Sequence, residues 1–209
     1  MKTAKKMIYS TGMIAVFFYV LHTVLGNLLW EEYNPITTDI SSLTADGAPN
    51  QVLLTIFTTI YGILLIIFSL ALYLDARKNN IKLTRIGYLL FLLMAIASFI
   101  GFSFFPRTGS SSMSFQEIMH LITAGVVALL SMGALYTIAF GMKKEKNKKY
   151  YIITLIAAIM VTCFGVMNPI MINAEIPLLG LVERITIYSI QAWVFYTSFN
   201  LVFKKVNSN

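Results

Sequence analysis

The chain has 209 residues, of which 57% are hydrophobic and only 12% are charged, and its formal net charge is +7. A soluble domain of this length could not bury so much apolar side chain, since ordinary globular domains are about half apolar and about a quarter charged. The composition therefore excludes a soluble protein and predicts an all-α protein that is embedded in a membrane.

Six apolar stretches are each long enough to cross the hydrocarbon core of a bilayer. At a rise of about 1.5 Å per residue, a helix needs about 20 residues to cross about 30 Å of hydrocarbon. The connections are short, so residues 1–209 are predicted to form one polytopic domain with six transmembrane helices. These helices are predicted at about residues 7–30, 52–74, 84–105, 116–142, 150–172 and 178–203.

The basic residues lie almost entirely on one side of this predicted bundle. Fourteen of the sixteen Lys and Arg residues precede helix 1, follow helix 6, or lie in the loops after helices 2 and 4, whereas seven of the nine acidic residues lie on the other side. Because basic loops stay in the cytoplasm, we expect a multi-pass protein of the cell membrane with both termini cytoplasmic. The basic run at 143–149 is then a topology signal in contact with lipid, and no nucleic-acid partner is expected.

Helix 1 is predicted to be a retained transmembrane helix, because its apolar run is too long for a signal peptide and no small-x-small cleavage site follows it. His22 lies about 12 Å below its outer end, by the helical rise. An imidazole at that depth needs a partner. It is either hydrogen-bonded to a neighbouring helix or reaches into a pocket at the outer leaflet.

Helix 1 is followed by residues 31–50 (the first loop), which hold four acidic side chains and no basic one. Turn-forming residues stand at both of its ends. Between them, the isolated Ile40 and Leu43 predict a segment that packs down onto the bundle. Asp39 or Ser41 is predicted to cap a short helical turn there, because both side chains accept hydrogen bonds from free N–H groups.

The connection between helices 3 and 4 contains Arg107, one of two basic residues on the predicted outer side. It is expected to bind an acid or a phosphate, or to extend to lipid phosphates. Early in helix 4, Glu117 and His120 stand three residues apart and share a helix face. A carboxylate that orients an imidazole is used in general-base catalysis, and it is also a common structural hydrogen bond.

Helices 5 and 6 add three polar residues near the outer side. Helix 5 carries Asn168-Pro169 towards its end, and Glu183 and Arg184 lie about two turns inside helix 6. Charged groups at that depth must be paired or face water. Cys163 is the single cysteine, so no disulfide can form within one chain.

Short motifs on the predicted outer side carry a resemblance to a known family. They are Asn34-Pro35, Asp39-Ile40-Ser41-Ser42-Leu43-Thr44, Ala48-Pro49-Asn50, Phe105-Pro106, His120, and Gly180 with Glu183-Arg184-Ile185. Together they resemble the domain-of-unknown-function family numbered 998, over essentially the whole chain. The resemblance implies a six-helix bacterial or archaeal membrane protein, and it implies no established activity.

More distantly, the first loop is similar to that of Frag/DRAM-type eukaryotic membrane proteins, some of which act in glycolipid-anchor remodelling. Their motif commonly reads Ile-Ser-Asp or Ile-Ser-Glu. This chain has Ser42 in place of the acid and Asp39 three residues upstream. A role that needs a carboxylate directly after Ser41 is therefore not implied.

Two classes of function follow from these residues. The favoured prediction is that the outer face binds or processes a lipid or glycolipid headgroup. In an enzyme, Ser41 or Ser42 would be the nucleophile and His120 the base. Glu117 or Asp39 would orient the imidazole. The predicted ligand-binding residues are Arg107, Asn168, Glu183 and Arg184. The alternative is a non-enzymatic ligand-binding, transport, protective or structural protein whose polar residues hold the helices together.

No cofactor is predicted, because the sequence has no phosphate-binding glycine loop, haem motif or dinucleotide fingerprint. His22 and His120 with Glu117 or Asp39 are the one conceivable zinc set. Catalytic zinc usually takes three ligands in which imidazole dominates, so no metal site is predicted. The expected partners are membrane lipids and a lipid or small-molecule ligand at the outer face.

Overall fold

Six long α-helices and one short 3₁₀ turn make up the described part of the chain, residues 3–108 and 113–203 of a computed structural model. The predicted all-α architecture is confirmed, and the predicted helix bounds agree with the observed ones to within a few residues at most ends. The elements are α1 Thr3–Leu28, a 3₁₀ turn Ser41–Thr44, α2 Gln51–Asn79, α3 Lys82–Phe104, α4 Phe115–Lys144, α5 Lys148–Asn173 and α6 Leu179–Phe203.

Helices α1 to α5 are each long and apolar enough to cross a membrane, by length and composition. Helix α6 has 25 residues, which is also a sufficient length. It does not reach the same hydropathy, because its apolar side chains are interspersed with polar ones. It nevertheless lies within the bundle, in contact with α1 and α5.

The helices pack in chain order as a closed ring, in which each helix contacts the next and α6 returns to α1. Small residues allow the close approaches. A Cβ at Gly87 would lie 2.6 Å from the side chain of Ile138 and 2.7 Å from its backbone nitrogen, so α3 reaches α4 only where the side chain is absent. The large buried side chains Phe68, Phe91 and Trp193 fill the ring.

Hydrogen bonds between side chains of neighbouring helices cross-link the ring. Trp193 Nε1 donates to Thr154 Oγ1 at 3.0 Å, and the hydroxyl groups of Tyr150 and Thr197 lie 2.7 Å apart. Such bonds contribute about 0.6 kcal/mol each on average in membrane helices. They therefore fix the packing angle of α5 against α6 more than they determine the overall stability.

One end of the bundle is held together by Glu145, directly after α4. Its carboxylate accepts hydrogen bonds from Asn80 Nδ2 at 2.6 Å, Ile81 N at 3.1 Å and Thr84 Oγ1 at 2.7 Å. The connection between α2 and α3 is thereby tied to the end of α4. This is the end at which the basic loops lie.

The first loop packs on the opposite end. Ile40 is 4% exposed and Leu43 is fully buried, so the predicted packing of this segment onto the bundle is confirmed. Leu43 lies against Gly26 of α1, where a Cβ would be 2.7 Å from Leu43 Cδ1. Together with Tyr19, Tyr33 and Leu54, these apolar residues form a separate cluster beneath the first loop.

Candidate functional site

The charged residues of α6 bind the backbone of the first loop. Glu183 Oε2 accepts the N–H of Ile40 at 2.6 Å. Arg184 Nη1 donates to the carbonyl oxygens of Pro35 at 2.6 Å and Thr38 at 3.0 Å. A planar guanidinium can satisfy several carbonyls at once because its donors form a rigid fork. The two side chains therefore fix the path of residues 35–40 across the end of α6.

Tyr33 and Gly180 complete this contact. The guanidinium of Arg184 lies 5.4 Å from the centre of the Tyr33 ring and donates through Nη2 to its hydroxyl, which in turn donates to the carbonyl of Asp39 at 2.8 Å. Burial raises the pKa of the Tyr33 phenol, so it stays a neutral donor. A Cβ at Gly180 would lie 2.7 Å from the carbonyl oxygen of Pro35, so only glycine permits this approach.

A second charged network joins the first loop to α4 through Arg107. The guanidinium of Arg107 forms an ion pair with Asp39 and lies 3.5 Å from Glu117 Oε1 through its Nε. Glu117 Oε2 also accepts the N–H and the hydroxyl of Thr108, at 3.1 and 3.0 Å. The Arg107 side chain is 32% exposed, whereas both carboxylates are only 8% exposed. The Arg107 guanidinium thus bridges two nearly buried carboxylates, and part of the Arg107 side chain remains exposed.

Asp39 has a second role within the first loop. Its Oδ1 accepts the N–H of Ser42 at 2.9 Å and also the Ser42 hydroxyl. The predicted short helical turn is present, and the Asp39 carboxylate binds an N–H of its first turn from one position before the N-cap residue Ile40, whose own side chain makes no cap bond. Ser41 and Ser42 are both half-buried beside this carboxylate.

His120 lies close to this network but has its own partner. It is 6% exposed, its Nδ1 lies 2.9 Å from the carbonyl oxygen of Phe105, and its ring packs against Phe102 at 5.0 Å between centres. Because a carbonyl only accepts, Nδ1 carries the proton and Nε2 has the free lone pair. Glu117, which shares its helix face, is bound to Arg107 and Thr108 instead.

Among the described contacts, Asn168 takes no part in either network, and the same holds for His120 and Ser41. The Nδ2 of Asn168 donates to the carbonyl of Phe164 within α5, at 3.1 Å. Its Oδ1 is buried and has no hydrogen-bond partner among the described residues. The remaining predicted residues fall into two networks on one loop, Asp39, Ser42, Arg107 and Glu117 in one and Glu183 with Arg184 in the other.

Some participating residues were not predicted. Asp46 accepts from Gln116 Nε2 at 2.9 Å, and Gln116 also donates to the carbonyl of Pro106 at 2.9 Å. Tyr33 is also a partner of Arg184. The presence of Asp46 in an acidic loop was visible in the sequence. Its partner was not, because the two residues are 70 positions apart.

The chain matches one known protein family over most of its length. Residues 13–200 match the family described as Protein of unknown function (DUF998). The chain belongs to this family. Every motif on which the resemblance depended lies within the DUF998 match, so that prediction is confirmed. No curated protein and no solved structure matches the chain, and the distant likeness to Frag/DRAM-type proteins stays a prediction.

The loop end of this DUF998 protein also carries a groove along α2. It has a volume of about 420 Å³ and is lined by one face of the helix between Gln51 and Ile60. Gln51 at its mouth accepts the N–H of Gly47 at 3.3 Å and donates to Asp46 at 3.4 Å. Within the described ranges, no group of three or more His, Cys, Asp or Glu residues could hold a metal ion.

Proposed function

We propose that the protein binds the headgroup of a lipid or glycolipid of the outer leaflet, at the end of the bundle covered by the first loop. The observation that carries this proposal is the position of Arg107 between Asp39 and Glu117 with about a third of its side chain exposed, 32%. Arginine binds phosphate and carboxylate with the same bidentate geometry. An incoming phosphate can therefore replace one carboxylate partner without rebuilding the site.

The expected membrane orientation supports the same proposal. If the basic loops lie in the cytoplasm, the first loop and Arg107 lie on the outer side. Seven acidic residues but only Arg107 and Arg184 lie on that side. A purely anionic headgroup would be repelled by this surplus of acid. A headgroup that combines its phosphate with an ammonium group or sugar hydroxyls is favoured.

The α2 groove supplies a place for the apolar part of such a ligand. It begins at Gln51, whose amide bonds to the first loop, and continues along Val52, Ile56 and Ile60 down the outer surface of α2. Ligand sites are commonly apolar clefts with a few polar groups at one end. An acyl chain in the groove would bring its headgroup towards Asp46 and Gln116.

The contacts favour binding over catalysis. The hydroxyl of Ser42 donates to Asp39, and the Nδ1 of His120 is taken by the carbonyl of Phe105. A serine nucleophile needs a free base within hydrogen-bond reach. The carboxylate that Ser42 meets is already ion-paired with Arg107, and no described contact joins Ser42 to His120. We therefore propose a ligand-binding role with no bond-breaking step.

A structural role is the second candidate, and the α6 contacts favour it. Glu183 and Arg184 are both bonded to the first loop itself. Groups of this kind would hold the loop in place whether or not a ligand binds. In that case, removal of Arg107 would lower stability without changing lipid retention.

Native mass spectrometry of protein from nanodiscs tests the proposal. The nanodiscs contain phosphatidylethanolamine, phosphatidylglycerol and a neutral glycolipid. We expect the wild type to retain phosphatidylethanolamine or the glycolipid, and Arg107→Gln to lose most of it. Arg77→Gln is the matched control, since Arg77 is exposed at the opposite end.

Equal retention by Arg107→Gln and Arg77→Gln would overturn the binding proposal and leave the structural role. If Arg107→Gln does not fold, Arg107→Lys replaces it. Lysine keeps the charge but loses the bidentate geometry, so retention should fall by less than with glutamine.

A further inference from the structure

A second polar group lies below the first loop, apart from the charged networks that bind the loop. It comprises Tyr19 and His22 of α1, Tyr61 of α2 and Gln191 of α6 (the internal cluster). Gln191 Nε2 donates to the Tyr61 hydroxyl at 2.8 Å. The Tyr19 ring lies 4.8 Å from that of Tyr61 and 5.7 Å from that of His22, between centres. The four side chains therefore form one contiguous set between three helices.

Three atoms of the internal cluster are buried without a hydrogen bond. His22 is 2% exposed, and neither of its ring nitrogens has a partner among the described residues. Gln191 is 3% exposed, and its Oε1 also has no hydrogen-bond partner among the residues that the structure describes. Buried polar side-chain atoms are nearly always hydrogen-bonded, because leaving one unpaired forfeits its interaction with water.

We propose that the internal cluster binds water at the unpaired atoms of His22 and Gln191. A neutral imidazole presents one N–H donor and one lone pair, and an amide oxygen only accepts. The ligand must therefore both donate and accept. An anion cannot donate, an ammonium group cannot accept, and a lipid tail can do neither. Water satisfies all three atoms, and it is the small hydroxylic molecule that commonly fills buried polar sites.

Bound water would make the interior of the bundle polar beneath the first loop. Tyr19 belongs to the apolar cluster on which the first loop packs, so the water would lie directly beneath the loop end. It would keep a polar region within α1, α2 and α6, where His22 could exchange protons with solvent. This inference is independent of lipid binding, since none of its four residues belongs to the networks around Arg107 and Arg184.

Solid-state NMR of the full chain in liposomes tests the proposal directly. The protein has two histidines. Labelling with ¹⁵N-histidine therefore gives one set of imidazole signals for each, and His120→Gln assigns them. We expect polarisation transfer from water to the His22 ring. A His22 signal without such transfer, in a sample where His120 near the loop end does receive it, would overturn the proposal.

The sign of a stability change supplies an independent test. His22→Leu replaces the imidazole by an apolar side chain of similar size. If water is bound at His22, the substitution removes the imidazole partners of that water, so the Tm falls. If the site is dry, the substitution removes two unpaired polar atoms and the Tm rises. Thr154→Val removes a hydroxyl that is hydrogen-bonded, and it therefore shows how far the Tm falls when one buried hydrogen bond is lost.

Discussion

At the scale of single residues, the two arginines at the loop end differ in the groups that they bind. Arg184 donates to backbone carbonyls and a phenol, which cannot leave the site. Arg107 pairs with two carboxylates and is 32% exposed. A ligand oxygen can replace a side chain far more easily than it can replace a fixed carbonyl. The difference supports the proposal that Arg107 is the group available to a ligand, whereas Arg184 holds the backbone of the first loop.

Gly180 provides the sharpest prediction at this scale. In Gly180→Ala, the new Cβ would lie 2.7 Å from the carbonyl oxygen of Pro35 and would also overlap the carbonyl of Thr38. Overpacking against a fixed backbone commonly costs about 1–3 kcal/mol. We expect the free energy of unfolding to fall by that amount, measured by denaturation in detergent.

Gly125 is the matched control, because a Cβ there would meet no atom within 4 Å. Gly125→Ala should leave the stability unchanged or raise it by up to about 1 kcal/mol, since alanine is the better helix former. Equal effects of the two substitutions would contradict the close packing of α6 on the first loop.

At the scale of elements, the first loop is held against the bundle by three sets of contacts. Apolar contacts of Ile40 and Leu43 press it onto α1 and α2, α6 binds its backbone, and Arg107 links it to α4. The α6 bonds are made to main-chain groups and the Arg107 bond is made to a side chain. Opening at the α4 side would break the Arg107–Asp39 ion pair and the two hydrogen bonds of Asp46, to Gln116 Nε2 and to the carbonyl of Arg107.

A double-mutant cycle of Asp39→Asn and Arg107→Gln measures that ion pair. We expect a coupling energy of about 1 kcal/mol, because one partner is nearly buried while the other is partly exposed and therefore screened. Either single variant should also increase hydrogen exchange in the first loop.

The surface pair Lys5 and Asp75 serves as the comparison for this cycle. Its side chains are 44% and 32% exposed, so its coupling should be nearer to zero. A coupling for Asp39 and Arg107 no larger than that of the surface pair would mean that their contact does not hold the loop.

The helices and the packing of the first loop could be predicted from the sequence, whereas the partners of the charged residues could not. The helices follow from the length of the apolar runs, and the packing of Ile40 and Leu43 follows from their isolation among polar residues. The partner of each charge does not follow. Glu117 stands one turn from His120 in sequence, yet it bonds to Arg107 and Thr108. That choice depends on how the connection from α3 turns back onto α4, which no local pattern records.

At the scale of the whole molecule, the two ends of the ring are built differently. At one end, Glu145 ties two short connections together through three hydrogen bonds. At the other end, the long first loop covers the helices and carries acidic residues. The ligand proposed above would bind at the covered end. The orientation in the membrane therefore decides which leaflet supplies that ligand.

Cysteine labelling tests this orientation directly, because the chain has a single native cysteine to remove. In a Cys163→Ser background, Glu32→Cys and Lys146→Cys introduce exposed thiols at opposite ends of the bundle. Basic loops resist transfer across the membrane, so we expect a membrane-impermeant maleimide to label position 32 in intact cells and position 146 only after permeabilisation. The reverse pattern would put the first loop in the cytoplasm. Arg107 would then face the inner leaflet, where anionic lipids are abundant, and the outer-leaflet headgroup proposed for it would have to be abandoned.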